Sequence, residues 1–295
     1  MSSSLVETVS EPSPARELDY CRALEQGRIL LFARPPFELP EAERALLLSQ
    51  HQTNAGYHKN IAYRPAQDRV TGFARGSDAE RLRGALRLYS RRATEFAAWL
   101  LPGYARSWRL DLASFRPEEE EGRALPRRSR NDLIHVDAFP TRPTRGDRIL
   151  RLFTNVNPAE PRVWLSGGTF EEIAPRFAPQ ALVDRALRDG LGDRLRRLAR
   201  GAGLKVAVRS PYDRFMLSFH HHLKESAAFQ EGAEKSRVEF PPGATWMVFT
   251  DMVSHAVLKG RYALEQTFVV ARESLVLPDK APIAILERIA RAPMS

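Results

Sequence analysis

The chain has 295 residues, 43% apolar and 27% charged. That suffices for a buried core without disulfide or metal staples, and it excludes a mostly disordered or membrane-spanning protein. A single cysteine, Cys21, excludes a disulfide framework and a thiolate zinc site and fits a reducing, cytoplasmic setting; the net charge of +9 attracts polyanions, but without a helix-turn-helix, zinc-finger or aromatic RNA-binding pattern no nucleic-acid partner is expected.

The Ser-, Glu- and Pro-rich start reads as a disordered tail over residues 1–16, and MSSSLVETVSEPSPARELDY lacks the basic start and apolar run of an export signal. A single domain is expected over 17–295. RILLFA (28–33) predicts a strand, and a helix follows at about 40–49, opened by Pro40 and Glu41. A longer helix is predicted at about 78–101, with Ser77 and Glu80 in capping-box spacing and Leu82, Leu86, Tyr89, Phe96 and Leu100 repeating along one face. Pro102 and Gly103 stop it.

From Trp108 the period becomes two, with Trp108, Leu110 and Leu112 alternating against Arg109, Asp111 and Ala113. The acidic run EEEE (118–121) reads as an exposed loop. Further strands are predicted in DLIHVDAF, RILRLFTNV, PRVWLS, LKVAV, TWMVFT, HAVL and LEQTFVVA, with helical inserts at about 179–200 and 212–230. The pattern is mainly β with helical additions (α+β), around a double-stranded β-helix of the jelly-roll, cupin-like kind.

Residues two apart on a strand share a face, so His135 and Asp137 can reach one metal ion while Val136 points away. A third ligand must come from a distant strand, and His255 is the best placed of the seven histidines. Two histidines and a carboxylate make the facial triad of non-haem Fe(II) oxygenases, which leaves coordination sites for O2 and a cosubstrate. His220, His221 and His222 fall in a helical pattern with Phe215, Phe219 and Leu223. Successive helical side chains diverge too far for the three to face one ion, so they read as one partly packed and two exposed histidines. His51 and His58 have no partners at useful spacing.

The usual cosubstrate of such iron, 2-oxoglutarate, needs a buried cation for its distal carboxylate. In many such enzymes that cation follows the distal histidine by roughly ten residues, but here the window ALEQTFV contains none. Arg151 lies on the face of Ile149, Phe153 and Asn155; Arg116 continues the face of Trp108, Leu110 and Leu112; Arg162 shares a face with Trp164. Together these four form the expected cosubstrate pocket.

With YHKNIAY, SRNDLIHVDAFPTRPTRGDRILRLFTNVNP, RVWLSGGTFEEIA, SPYDRFMLSFHHHLKESAAFQ and PPGATWMVFTDMVSHAVLKGRYALEQTFVV in place, the chain resembles the Kdo 3-hydroxylase family from about residue 20 to 275. These are bacterial Fe(II)- and 2-oxoglutarate-dependent dioxygenases of the lipopolysaccharide inner core. The resemblance implies His135, Asp137 and His255 as iron ligands and Arg116, Arg151, Arg162 and Trp164 as 2-oxoglutarate contacts. It further implies hydroxylation of Kdo at carbon 3 in a Kdo-bearing lipid A precursor, with succinate and CO2 as coproducts. The Arg-rich stretch ALVDRALRDGLGDRLRRLARG suggests either an amphipathic cover of the barrel or peripheral contact with the cytoplasmic face of an anionic inner membrane. Alternatives are an oxygenase with a protein or other small-molecule substrate, and a non-catalytic basic barrel that binds an acidic glycan, lipid or nucleic acid.

Overall fold

Two sheets converge on the segment that carries His135 and Asp137. The computed structural model describes residues 5–51, 60–120, 122, 125–188, 195, 198–204, 206 and 208–295. The larger sheet is built from β1 (Val6–Val9), β2 (Ile29–Phe32), β3 (Ile61–Arg64), β4 (Arg69–Thr71), β5 (Arg109–Arg116), β6 (Arg148–Asn155), β9 (Thr245–Phe249) and β11 (Ala263–Val270), in the order β1-β2-β9-β6-β11-β5-β3-β4. The smaller has the order β10-β7-β8, from β7 (Arg162–Ser166), β8 (Ser236–Phe240) and β10 (Ala256–Lys259). Among the described residues only the β1–β2 pair is parallel; the other ladders are antiparallel.

β6 and β11 lie side by side at the centre of the large sheet, and every residue of both is buried. Such strands are apolar on both faces except where polar groups pair with each other. The charged exceptions on these two, Arg148, Arg151 and Glu265, are therefore informative.

The helices are α1 (Glu17–Glu25), α2 (Glu41–Leu48), α3 (Ala79–Leu100), α4 (Pro102–Ala105), α5 (Phe170–Phe177), α6 (Gln180–Leu187), α7 (Pro211–Glu225), α8 (Ala227–Gly232) and α9 (Pro282–Ala290). α3 buries Leu82, Leu86, Tyr89, Ala93, Ala97 and Leu100, where each large apolar side chain contributes about 1.5–3 kcal/mol. It is pinned to the central strands by Ser90 Oγ, which donates to Gln266 Oε1 at 2.7 Å.

α7 starts in a capping box: Asp213 N donates to Ser210 Oγ (3.2 Å) and Ser210 N donates to Asp213 Oδ2 (3.1 Å). The other oxygen of Asp213 accepts from Thr144 N and Arg145 N at 2.8 and 3.1 Å. That ties the helix to the loop that follows the His135–Asp137 segment.

Several expectations change. The expected tail contains β1, because Glu7 and its neighbours can extend a ladder on β2 without a large core of their own. α3 is capped by Asp78, whose carboxylate accepts from Arg81 N at 3.0 Å, rather than by Ser77. Strands β3, β4 and β8 and helix α5 were not anticipated. LKVAV is no strand among its described residues, and Leu204 is 60% exposed; short alternation without a partner edge does not make a ladder. Most of the insert beyond α6, and His58, lie outside the described residues.

A bulge shifts β5 against β11 between Gln266 and Phe268, which breaks the alternation read from Trp108. Leu110 is consequently exposed while Ala113 and Phe115 enter the core, so Arg116 does not simply continue the face of Leu110. The EEEE run is not all exposed either: Glu120 is buried beside Arg116.

Candidate metal centre

DLIHVDAF is extended but forms no regular strand, because its backbone is shared among partners on both sides of the β9–β10 turn. His135 N donates to His255 O at 3.1 Å and His255 N to His135 O at 2.8 Å, while Asp137 N donates to Thr250 O at 2.8 Å. The expected geometry survives without the ladder. Val136 is buried in the core, and His135, Asp137 and His255 offer ligand atoms that all lie within 4.8 Å of one another.

Both rings are held in the tautomer that metal binding requires. His135 Nδ1 donates to Leu133 O at 2.7 Å and His255 Nδ1 to Val253 O at 2.9 Å. A carbonyl only accepts, so each Nδ1 carries the proton and each Nε2 keeps its lone pair. These Nε2 atoms stand 3.8 Å from Asp137 Oδ1 and 4.0 Å from Asp137 Oδ2, respectively.

Burial lowers the proton affinity of both histidines, of His135 well below the usual range, and so keeps them neutral. Burial alone would raise the Asp137 carboxyl, but the Arg151 guanidinium, helped by a hydrogen bond from the Thr250 side chain, outweighs it and holds it below the ordinary carboxylate range. Asp137 Oδ2 is buried and makes no directed hydrogen bond, although Arg151 Nη2 lies 3.2 Å away. A carboxylate that faces two imidazole lone pairs suits a divalent cation, and a set of two nitrogens and one oxygen suits ferrous iron.

The three residues line a cavity of ≈ 410 Å³. Arg116, Arg151, Arg162 and Trp164 line it as well, so the four expected cosubstrate contacts come together. Glu265 on β11 organises them. Ala263 faces Arg116 and Thr267 faces Arg151 across the ladders on either side, which sets both arginines diagonal to Glu265. Arg116 Nε and Nη2 donate to Glu265 Oε2 at 3.1 and 2.9 Å, and Arg151 Nη1 donates to Oε1 at 3.1 Å.

Burial works against the charge of Glu265, and the two arginines overcome it, holding its carboxyl below the usual value. Burial, reinforced by Arg116, lowers Arg162 to about 10, while its Nη1 donates to Gly260 O. Arg151 Nε, Arg162 Nε and Trp164 Nε1 are buried donors without a hydrogen-bond partner. The Trp164 indole also stacks on the His255 ring at 5.0 Å.

Sequence reasoning missed Glu265, Glu120, His220 and Lys224. ALEQTFV holds, in place of a cation, the carboxylate that gathers cations from two neighbouring strands. His220, His221 and His222 do not converge on one ion, as expected, but none is fully exposed. His220 packs edge-on against His135, ring centres 4.8 Å apart, and its Nδ1 donates to Val136 O at 2.7 Å. The signal was the helical register that places His220 and Lys224 on one side of α7. His51 is exposed, beside Glu118.

Residues 7–293 match the family model described as 3-deoxy-D-manno-oct-2-ulosonic acid (Kdo) hydroxylase. Among solved structures, the chain is similar to the Kdo hydroxylase KdoO, a non-heme Fe(II) α-ketoglutarate-dependent dioxygenase. The KdoO complex with α-ketoglutarate and Fe(III) is 33% identical, with a TM-score of 0.83 over 98% of this chain and 97% of that one. The cobalt(II) complex is 34% identical, with a TM-score of 0.84 over 99% and 97%. The complex with succinate and Fe(III) is 32% identical, with a TM-score of 0.83 over 99% and 97%. No curated protein matches the chain significantly.

Proposed function

The chain belongs to the Kdo hydroxylase family, and from that premise we propose that it hydroxylates carbon 3 of Kdo in a Kdo-bearing lipid A precursor, with His135, Asp137 and His255 holding Fe(II) and Arg116, Arg151, Arg162 and Trp164 holding 2-oxoglutarate. It is an Fe(II)- and 2-oxoglutarate-dependent dioxygenase, with O2 as the oxidant. One oxygen atom enters the carbon–hydrogen bond of the sugar and the other enters succinate as 2-oxoglutarate loses CO2.

The carrying observation is the convergence of two neutral imidazoles and the Asp137 carboxylate within 4.8 Å, in a cavity that Arg116, Arg151 and Arg162 also line. When bound, the iron supplies the redox chemistry that couples oxidation of the keto acid to oxidation of the sugar.

The protein's own groups position and balance charge. Asp137, Glu120 and Glu265 offset Arg116, Arg151 and Arg162, so a divalent cation and a dianionic keto acid enter together without net change in the buried charge. Arg162 Nε and Trp164 Nε1 supply donors that no protein group uses. Carbonyls of Leu133 and Val253 hold the two imidazoles in their ligating orientation.

No helix among the described residues is long and apolar enough to cross a membrane. Leu195, Leu198 and Leu204 are 65%, 71% and 60% exposed, near the exposed Arg200, and support peripheral contact with an anionic lipid surface, where the substrate resides.

The test is mass spectrometry of a Kdo-bearing lipid A precursor incubated with the protein, Fe(II), 2-oxoglutarate and air, beside a His135→Ala control. Gain of one oxygen atom with the intact protein alone is expected. An unmodified sugar, with iron bound and 2-oxoglutarate consumed, would move the search to another substrate.

A further inference from the structure

The segment that carries His135 and Asp137 is hydrogen-bonded along both edges, but backbone meets it on one edge only. In an extended chain successive residues direct their N–H and C=O groups to opposite sides. His135 and Asp137 face the β9–β10 turn, through His255 and Thr250. Ile134 and Val136 face the other way, and both are buried. No strand pairs with them there among the described residues. Backbone groups shut away from water need partners, so something else must replace that strand.

Two helices supply side chains in its place. Gln230 of α8 uses its amide as a neighbouring peptide would: Ile134 N donates to Gln230 Oε1 at 3.1 Å, and Gln230 Nε2 donates to Ile134 O at 2.8 Å. The same Nε2 donates to Leu223 O at 2.8 Å, which ties the amide to the last turns of α7. His220 of α7 donates from Nδ1 to Val136 O at 2.7 Å.

The effect falls on two peptide units. The unit that joins Ile134 to His135 has its carbonyl held by Gln230 and its N–H held by His255 O at 3.1 Å. The unit that joins Val136 to Asp137 has its carbonyl held by His220 and its N–H held by Thr250 O at 2.8 Å. Each unit directly precedes a metal ligand. A planar unit gripped at both ends resists rotation about its flanking bonds, which fixes the direction in which the following side chain leaves the backbone.

We propose that His220 and Gln230 are positioning residues of the metal centre, which keep His135 and Asp137 at ligating separation by clamping the peptide unit before each. The assignment rests on His135, Asp137 and His255 being the ligands. His220 also packs edge-on against His135, ring centres 4.8 Å apart, so the rival account gives the ring, and not its N–H, as the reason for a histidine here.

The experiment titrates Co(II) into metal-free wild type, His220→Phe, His220→Asn and Gln230→Met, and follows the ligand-field absorption, which reads affinity and coordination geometry without turnover. Phe keeps the ring and loses the donor. Asn loses the ring and keeps a donor nitrogen on Cγ, where His carries Nδ1. His220→Phe and Gln230→Met are expected to bind Co(II) about 10- to 100-fold more weakly than wild type, with an altered spectrum at saturation, and His220→Asn to recover most of the affinity lost in His220→Phe.

A folded His220→Phe with the wild-type affinity and spectrum overturns the assignment, and so does a His220→Asn that binds more weakly than His220→Phe. Where His220→Phe fails to fold, Gln230→Met decides from the other clamp, and wild-type Co(II) affinity there overturns the assignment. A merely structural pair would lower the melting temperature of the metal-free variants and leave the affinity and spectrum of the folded protein unmoved, which also overturns it. Wild type that binds neither Co(II) nor Fe(II) overturns the metal-centre reading itself, and the assignment with it.

Discussion

His135 and His255 exchange both backbone hydrogen bonds across an isolated antiparallel bridge, at 3.1 and 2.8 Å. Each imidazole is also tied through Nδ1 to a carbonyl two residues before it, at Leu133 and Val253. The metal centre is therefore stitched by backbone before any ion binds.

Asp137→Ala should abolish this centre while sparing the fold. Removing an outer partner of a metal ligand already weakens binding 10- to 100-fold, so loss of the ligand itself is expected to weaken Fe(II) binding by more than about 100-fold. Metal content after dialysis, measured beside the circular dichroism spectrum, checks this. Retention of stoichiometric iron would show that the carboxylate is not a ligand.

Trp164→Phe keeps an aromatic ring where Trp164 stacks on His255 and removes the unpartnered Nε1 donor. The KM for 2-oxoglutarate should rise about tenfold, the worth of one hydrogen bond to a charged group, with iron affinity unchanged. Steady-state kinetics with 2-oxoglutarate varied at saturating iron distinguish this from a packing defect, which would lower kcat and iron affinity together.

Glu265→Gln leaves Arg116 and Arg151 without their shared carboxylate and is expected to destabilise the protein by roughly 3–5 kcal/mol at pH 7. Arg116 and Arg151 depress the Glu265 carboxyl below its unfolded value despite burial, so the native state resists the proton that the unfolded chain accepts. Its contribution is present above the unfolded pKa near 4.5 and is lost as pH falls through the lower folded value. Wild type and variant should accordingly converge in urea midpoint as pH drops below 4.5. A constant gap down to pH 3 would contradict an origin in the paired arginines.

Gly260→Ala should act on the arginines of the cavity from outside it. Gly260 has φ +107°, and an added Cβ would lie 2.7 Å from Arg162 Cα and 2.8 Å from Pro161 O. Gly260 also receives the Arg162 guanidinium on its carbonyl and donates its N–H to Glu119 at 2.8 Å. Strain of this kind typically amounts to about 1–3 kcal/mol, and a displaced Arg162 should weaken 2-oxoglutarate binding more than it lowers metal content. Isothermal titration with 2-oxoglutarate, at fixed Mn(II) in place of iron, measures the effect.

The sequence by itself determined which residues could ligate: the His-x-Asp spacing, the third histidine, the buried faces of β6 and β7 and the blocks shared with Kdo hydroxylases are all local patterns. Such patterns record which side chains share a face and which are apolar, because helix and strand periodicities are fixed by backbone geometry. Tertiary structure alone decided who meets whom. It made DLIHVDAF a bridged segment instead of a strand, since its hydrogen bonds go to both sides of the β9–β10 turn. It turned the cation-free window of β11 into the hub of two cavity arginines, because strand register sets Glu265 diagonal to Arg116 and Arg151. It also brought α7 over the metal centre, where His220 holds the Val136 carbonyl and Lys224 enters the cavity. Periodicity cannot encode those meetings, because the distance between side chains on different elements depends on register and chain path, which are settled only when the whole core packs.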